Sequence, residues 1–189
     1  MTRLLTLVLV LLAIAGCRLR EAVAGVSEPI VTGTASSSFD PHVVHRLALL
    51  IPPVRDRDST RNPAVESAVR DAFTTRLLAS GYEVVAESTL TSAMGRGWVS
   101  ASDIDVAQAA RALGVAAVLV AEVTDNMVSD HGGGVLDYRF GISARLVAAY
   151  GAIWWSARHA GTHALDQRGD ESAVAAPIAR GVAKAFPGR

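Results

Sequence analysis

The sequence predicts an α/β sandwich of two or three layers around one mixed sheet, in the order β-α-β-α-β-β-β-α. Three observations lead there. Two apolar runs, Val43 to Ile51 and Val115 to Val123, are nearly unbroken, as strands covered on both faces are. Between them, Val65, Val69, Ala72, Phe73 and Leu77 recur at helical spacing. Beyond them, Tyr138, Phe140, Ile142, Ala144, Leu146 and Ala148 alternate with Arg139, Gly141, Ser143, Arg145 and Val147, the period of a half-buried strand.

Each element follows from its neighbours. The first strand, over 43–51, stops at Pro52-Pro53, which cannot continue a central strand. Asn62-Pro63 places a capping side chain before a proline at the first helical position, and Gly81 is suited to end that helix. Tyr82 to Ala86 reads as a short strand and Thr89 to Met94 as a helical turn. Ser102 and Asp105 form a capping box for a helix running to Leu113 and Gly114. The third strand is Val115 to Val123, followed by a polar loop over 124–134. Tyr150-Gly151 then turns the alternating strand into a hairpin with Ala152 to Thr162. Val174, Ile178, Val182 and Phe186 space a last helix four residues apart, with Pro177 expected to kink or restart it.

The first sixteen residues are set apart from the fold. Twelve of them are Met, Leu, Val, Ile or Ala, behind Arg3 and ahead of Ala15-Gly16-Cys17, which is a secretory signal layout. The apolar run is shorter than the roughly 20 residues a membrane-spanning helix needs. Ile14-Ala15-Gly16-Cys17 also resembles the bacterial lipobox, which implies a signal peptide over 1–16 and acylation of Cys17, the only cysteine. Several acyl chains anchor durably where one holds marginally. Arg18 after the cysteine resembles outer-membrane rather than inner-membrane lipoproteins, so the expected place is the outer membrane, facing the periplasm. Residues 17–42 carry Gly25, Pro29, Gly33 and Ser36-Ser37-Ser38 without a sustained apolar period and read as a flexible tether. A single domain then fills 43–189.

With 18 basic and 18 acidic residues the chain has no net field to recruit nucleic acid or anionic lipid. No motif for a cofactor or small-molecule substrate is complete. The only lysine is Lys184, flanked by alanines, which excludes a P-loop. His131-Gly132-Gly133-Gly134 resembles the oxyanion loop of lipases, but no Gly-x-Ser-x-Gly accompanies it, and Gly141-Ile142-Ser143-Ala144-Arg145 falls inside a strand. His159 and His163 are about 13 Å apart along a strand at roughly 3.3 Å per residue, too far for one zinc ion by that count. His42 and His45 lie at the junction of tether and strand, and on opposite sides of the strand if both belong to it.

Trp154-Trp155 is more informative. Neighbours on a strand point to opposite faces. A two-residue turn at Tyr150-Gly151 pairs Leu146 with Trp155 and Val147 with Trp154, putting Trp155 in the core and Trp154 on the other face with Arg145 and Arg158. Tryptophan and arginine anchor protein interfaces, so Trp154, Arg145 and Arg158 are the expected partner-binding residues.

Arg46 to Leu50, Leu77 to Val85, Ala109 to Val120 and Leu146 to Ser156, in that order and behind a lipobox, resemble the CsgG-like lipoproteins of curli secretion and their LpoB-like relatives, activators of penicillin-binding proteins. The resemblance implies an α/β sandwich and a non-enzymatic envelope lipoprotein that assembles with itself or with other envelope proteins. Two departures limit it. The hairpins that form a membrane barrel in secretion-channel members need strands of about 9–11 alternating residues, and only 124–134 is spare, so a pore is disfavoured. Ala148-Ala149-Tyr150 also stands where the family carries an Asp-containing loop.

Overall fold

The computed structural model describes residues 26–95, 102–130, 136–165 and 169–189. The expected signal peptide, Cys17 and the His131–Gly134 loop lie outside the described residues. The elements are β1 (Thr34–Ala35), β2 (Arg46–Leu50), α1 (Pro63–Ala79), β3 (Glu83–Val85), α2 (Glu87–Met94), α3 (Asp103–Ala112), β4 (Ala117–Asp130), β5 (Leu136–Ala148), β6 (Ile153–Leu165) and α4 (Glu171–Lys184). The strands form one sheet in the order β1-β6-β5-β4-β2-β3. β2 runs parallel to β3 and β4, and the remaining neighbours are antiparallel. The sheet is therefore mixed, as expected.

Alternation sorts each strand into two cores. Leu47, Leu49, Leu119, Phe140, Ile142 and Leu146 meet Val69, Phe73 and Leu77 of α1 and Ile178 and Val182 of α4 on one face. Ala48, Leu50, Val118, Val120 and Val147 meet Leu90 of α2 and Val106 and Ala110 of α3 on the other. The sandwich thus has three layers. Local chemistry fixes the helix ends as the sequence predicts. Asn62 Oδ1 accepts from Val65 N at 3.2 Å, and the Ser102–Asp105 capping box is reciprocal. Gly81 (φ 80°) and Gly114 (φ 63°) take up the left-handed turns after α1 and α3. Asp170 caps α4, which continues through the buried Pro177 as one helix.

Three expectations need correction. The first is the loop over 124–134, whose described part is strand, since β4 continues to Asp130 paired with Leu136. Its polar sequence misled because pairing there rests on main-chain bonds. A bulge between Val123 and Asp125 resets the register, and Asn126 is buried by accepting from Tyr138 Oη at 2.5 Å and donating to Arg55 O at 3.2 Å.

The second is the tether, whose described part, 26–42, is packed on the domain. β1 adds to the outer edge of β6, Phe39 is buried in the α1/α4 core, and Glu28 pairs with Arg180 at 2.8 Å and with Lys184. Glycines made the segment look loose, yet two glycines permit its close approach. A Cβ on Gly33 would lie 2.3 Å from Trp155 Nε1, and one on Gly181 would lie 2.6 Å from Pro29 O.

The third is the β5–β6 turn. Ala148 N donates to Ala152 O at 2.8 Å, closing a three-residue loop, Ala149 to Gly151, with Gly151 at φ 94°. Val147 pairs with Ile153 and not with Trp154, while Leu146 pairs with Trp155 as expected. Trp154 is the extra residue of the resulting bulge.

Candidate functional site

The bulge decides what Trp154 does. Freed from strict alternation, its indole stacks on Phe39 (centroids 5.7 Å apart, 19° between planes) and meets Tyr150 edge-on at 5.7 Å, donating from Nε1 to Tyr150 Oη at 2.5 Å. Phe39 also contacts Phe186 at 6.3 Å, and Phe186 packs edge-on against Trp155 at 4.9 Å and Tyr82 at 5.5 Å. Trp155 is fully in the core. Trp154 is half-buried, and its cover is the N-terminal segment through Phe39, with Tyr150 and Ile153 exposed beside it.

Arg145 faces the α3 side, where it donates to Asp103 Oδ1 at 2.8 Å and Glu122 Oε2 at 3.2 Å. Burial alone would lower its pKa, but the two carboxylates raise it above the ordinary arginine value. Arg158, whose strand partner Ser143 lies two residues from Arg145, shares that face and is exposed. The structure therefore brings Arg145 and Arg158 to one face and turns Trp154 away toward Phe39. Only Arg158 of the three presents a largely open side chain.

Other charges are spent on structure. Glu66 on α1 is buried between Arg61 (3.0 and 2.7 Å) and Arg70 (3.1 Å), and Arg70 also reaches Glu87. Burial pushes the Glu66 carboxyl up, and the two guanidinium groups more than offset it, holding the pKa below the ordinary value. An open groove of about 490 Å³ runs between α1 and α4, lined by small residues with Asp71, Arg180 and Lys184 at its rim. Ser143, in the stretch that comes nearest to a hydrolase motif, pairs with Glu122 and Arg158 in the middle of the sheet.

Sequence spacing missed one cluster. His159, Gly161 and His163 lie on the α1/α4 face of β6, opposite Ile142, Phe140 and Tyr138. Although the Cα atoms are far apart, both side chains lean over Gly161, so the ring centroids are 6.0 Å apart. A Cβ on Gly161 would lie 3.1 Å from His163 Nε2 and 3.4 Å from His159 Nε2. Both Nε2 atoms are buried and lack a hydrogen-bond partner among the described residues. The signal was a His-x-Gly-x-His pattern: the central glycine leaves room for what the along-strand distance forbids. Within one copy, no group of three or more metal-ligating residues occurs among the described residues.

No protein-family model matches the sequence, and no curated protein does. Solved structures do. Two crystal structures of the PelC dodecamer from Paraburkholderia phytofirmans are similar: one at 21% identity, 84% of this chain, 98% of that chain and TM-score 0.52, the other at 18%, 84%, 97% and 0.50. A weaker likeness, TM-score 0.41 at 18% identity, joins 61% of this chain to 82% of the LpoB C-terminal domain from Escherichia coli. The CsgG-like branch of the resemblance read from the sequence is not supported. At these identities the likeness is one of fold: this chain is similar in fold to the PelC chain.

Proposed function

We propose that the protein is a lipid-anchored, non-catalytic component of the bacterial cell envelope that acts by binding protein, foremost further copies of itself. The observation that carries this reading is the fold match. It takes in 84% of this chain and 98% of a PelC chain that was crystallised as a dodecamer. The lipobox at Ile14 to Cys17 supports acylation of Cys17 and a place at the outer membrane facing the periplasm. No helix among the described residues is long and apolar enough to cross a membrane. Arg145 is tied into ion pairs with Asp103 and Glu122, and the stretch that might have supplied a barrel hairpin is used, over its described part, to extend β4.

The packed N-terminal segment gives the anchor a geometry. Ten residues separate Cys17 from Glu28, a reach of at most about 40 Å over the eleven steps when fully extended, so an acylated Cys17 would hold α4 and the top of β6 near the bilayer. The assembly role, whether in secretion or in control of a cell-wall synthase, is set by the partner. Trp154, Arg145 and Arg158 remain the proposed contact residues, with Arg158 the accessible one.

Two measurements test the reading. The mature N-terminus is analysed by mass spectrometry, and an acylated Cys17 with membrane release of Cys17→Ala is expected; an unmodified, soluble wild type would refute anchoring. A photo-crosslinker at Arg158 is then activated in intact cells. Adducts between copies support self-assembly, adducts with a cell-wall synthase move the reading to an activator, and ester hydrolysis lost on His131→Ala would establish an enzyme instead.

A further inference from the structure

Most of one edge of the sheet is left uncovered by any strand among the described residues. β1 covers only Trp155 and Ser156 of β6, and no strand among the described residues pairs with the outer edge of Ala157 to Leu165. Long, flat edges are usually blunted by lysine, proline or a bulge; this one has none of these, and Arg158 is its only residue of fixed charge. Ser36 N donates to Trp154 O at 2.7 Å, so by alternation the outward main-chain groups are those of Arg158, Ala160, Thr162 and Ala164.

The midpoint of the free edge is Gly161. If two copies pair antiparallel over the whole of it, the two-fold axis passes between the two Gly161 residues, with Ala160 opposite Thr162 of the second copy and Arg158 opposite Ala164. These are the outward-bonding positions, so the register satisfies the ladder and opposes no like charges. His159 then faces His163 of the second copy at a non-hydrogen-bonded position, where Cα atoms approach to about 4.5 Å. The same Gly161 is the point over which both buried, unpartnered Nε2 atoms of each copy converge. Two independent features of the strand thus share one centre. Zinc takes four nitrogen ligands at about 2.0 Å, and a single copy offers two.

We propose that two copies join edge to edge through Ala157–Leu165, and that the four imidazoles meeting over the paired Gly161 residues form a divalent transition-metal site at the seam. This rests on the self-association reading above and names its surface. The site is incomplete without the second copy, so metal binding and pairing are one event.

The test uses the full-length chain in mild detergent, with mass measured by sedimentation velocity in Zn²⁺ and in EDTA. A two-fold rise in mass with zinc, at one zinc per two chains, is the expected result. Ala160→Pro removes an outward N–H at a position where an edge strand tolerates proline, and it should abolish the rise while the far-UV circular dichroism is kept. If that variant does not fold, H159Q/H163Q decides, and it should lose the zinc response with at least a ten-fold fall in zinc affinity. Zinc bound once per chain without a change in mass, or a rise that persists in H159Q/H163Q, overturns the proposal. An assembly indifferent to zinc and to a folded Ala160→Pro overturns the seam alone and leaves self-association standing, whereas a chain that is monomeric throughout overturns both.

Discussion

The two halves of β6 share a strand, a partner in β5 and a sheet, yet they are built differently. From Ile153 to Ser156 the strand carries two tryptophans, receives β1 on its edge and is roofed by Phe39 and Phe186. From Ala157 to Leu165 it is made of three alanines, Gly161, Thr162, two inward histidines, the exposed Arg158 and the buried Leu165, with no strand on its outer edge among the described residues. Large side chains close the first half from within the chain. The second half carries mostly small side chains, and among the described residues its outer edge has no strand beside it. Edge protection in this fold is thus local, and it is supplied by a segment whose own sequence looks like linker.

The strongest way to break the contrast is Trp155→Ala. The indole is in contact with Phe186 and lies beneath Gly33. Its loss should cost about 3–5 kcal/mol, read as a lower urea midpoint, and should free 26–42 to proteolysis. A midpoint within about 1 kcal/mol of wild type would show that the upper half does not depend on this anchor.

Gly33→Ala attacks the same half from the other side. The new methyl would sit 2.3 Å from Trp155 Nε1 and 3.1 Å from Ala185 O, and backbone is not free to retreat. Overpacking of this kind costs about 1–3 kcal/mol. Cleavage within 26–35 should quicken in a limited-proteolysis series while the rest of the domain stays intact, and unchanged cleavage would mean that the segment is not held by this contact.

The lower half is sharpened by pH. Burial holds the pKa of both His159 and His163 below the ordinary histidine value, and His163 is lowered further by the charge of His159. Unfolded histidine titrates near 6.5. The unfolded chain therefore takes up these protons first, so the stability these groups contribute is full above about pH 6.5 and falls as the pH drops through that value toward the lower folded pKa. In metal-free buffer the urea midpoint should fall between about pH 7.5 and about pH 5.5, and H159Q/H163Q should flatten part of that slope. Identical slopes in the two proteins would show that the imidazoles are not buried.

The smallest effect is expected at the opposite edge, where β3 is only three residues long and Glu83 pairs with Arg46 at 3.0 Å, both side chains largely exposed. Glu83→Gln should change stability by less than about 1 kcal/mol. A larger loss would mean that this short edge, too, relies on one contact.

Much of this was legible in the sequence because it depends on near neighbours. Apolar period identified β2, α1, the first half of β4, β5 and α4. Cap chemistry at Asn62, Ser102 and the glycines after α1 and α3 placed helix ends, since a cap needs only residues a few positions away. Spacing also returned Trp155 to the core. What it could not show was any feature set by a distant partner. Asp125 to Asp130 look like loop until β5 is beside them. Glycines at 33 and 181 look permissive until Trp155 and Pro29 occupy the room they leave.

The candidate site divides the same way. Residue type alone drew attention to Trp154, Arg145 and Arg158, but a one-residue bulge and an N-terminal phenylalanine decided that Trp154 turns away from the arginines. His159 and His163 were set apart on the length of strand between them, whereas the tilt of their side chains over Gly161 brings the ring centroids to 6.0 Å. The sequence by itself determined the mixed α/β class, most helix ends and most strand faces, because hydrophobic period and capping act within a few residues. Only the tertiary structure decided which segments cover the sheet's outer edge and which side chains meet, because those depend on contacts between residues far apart in the chain.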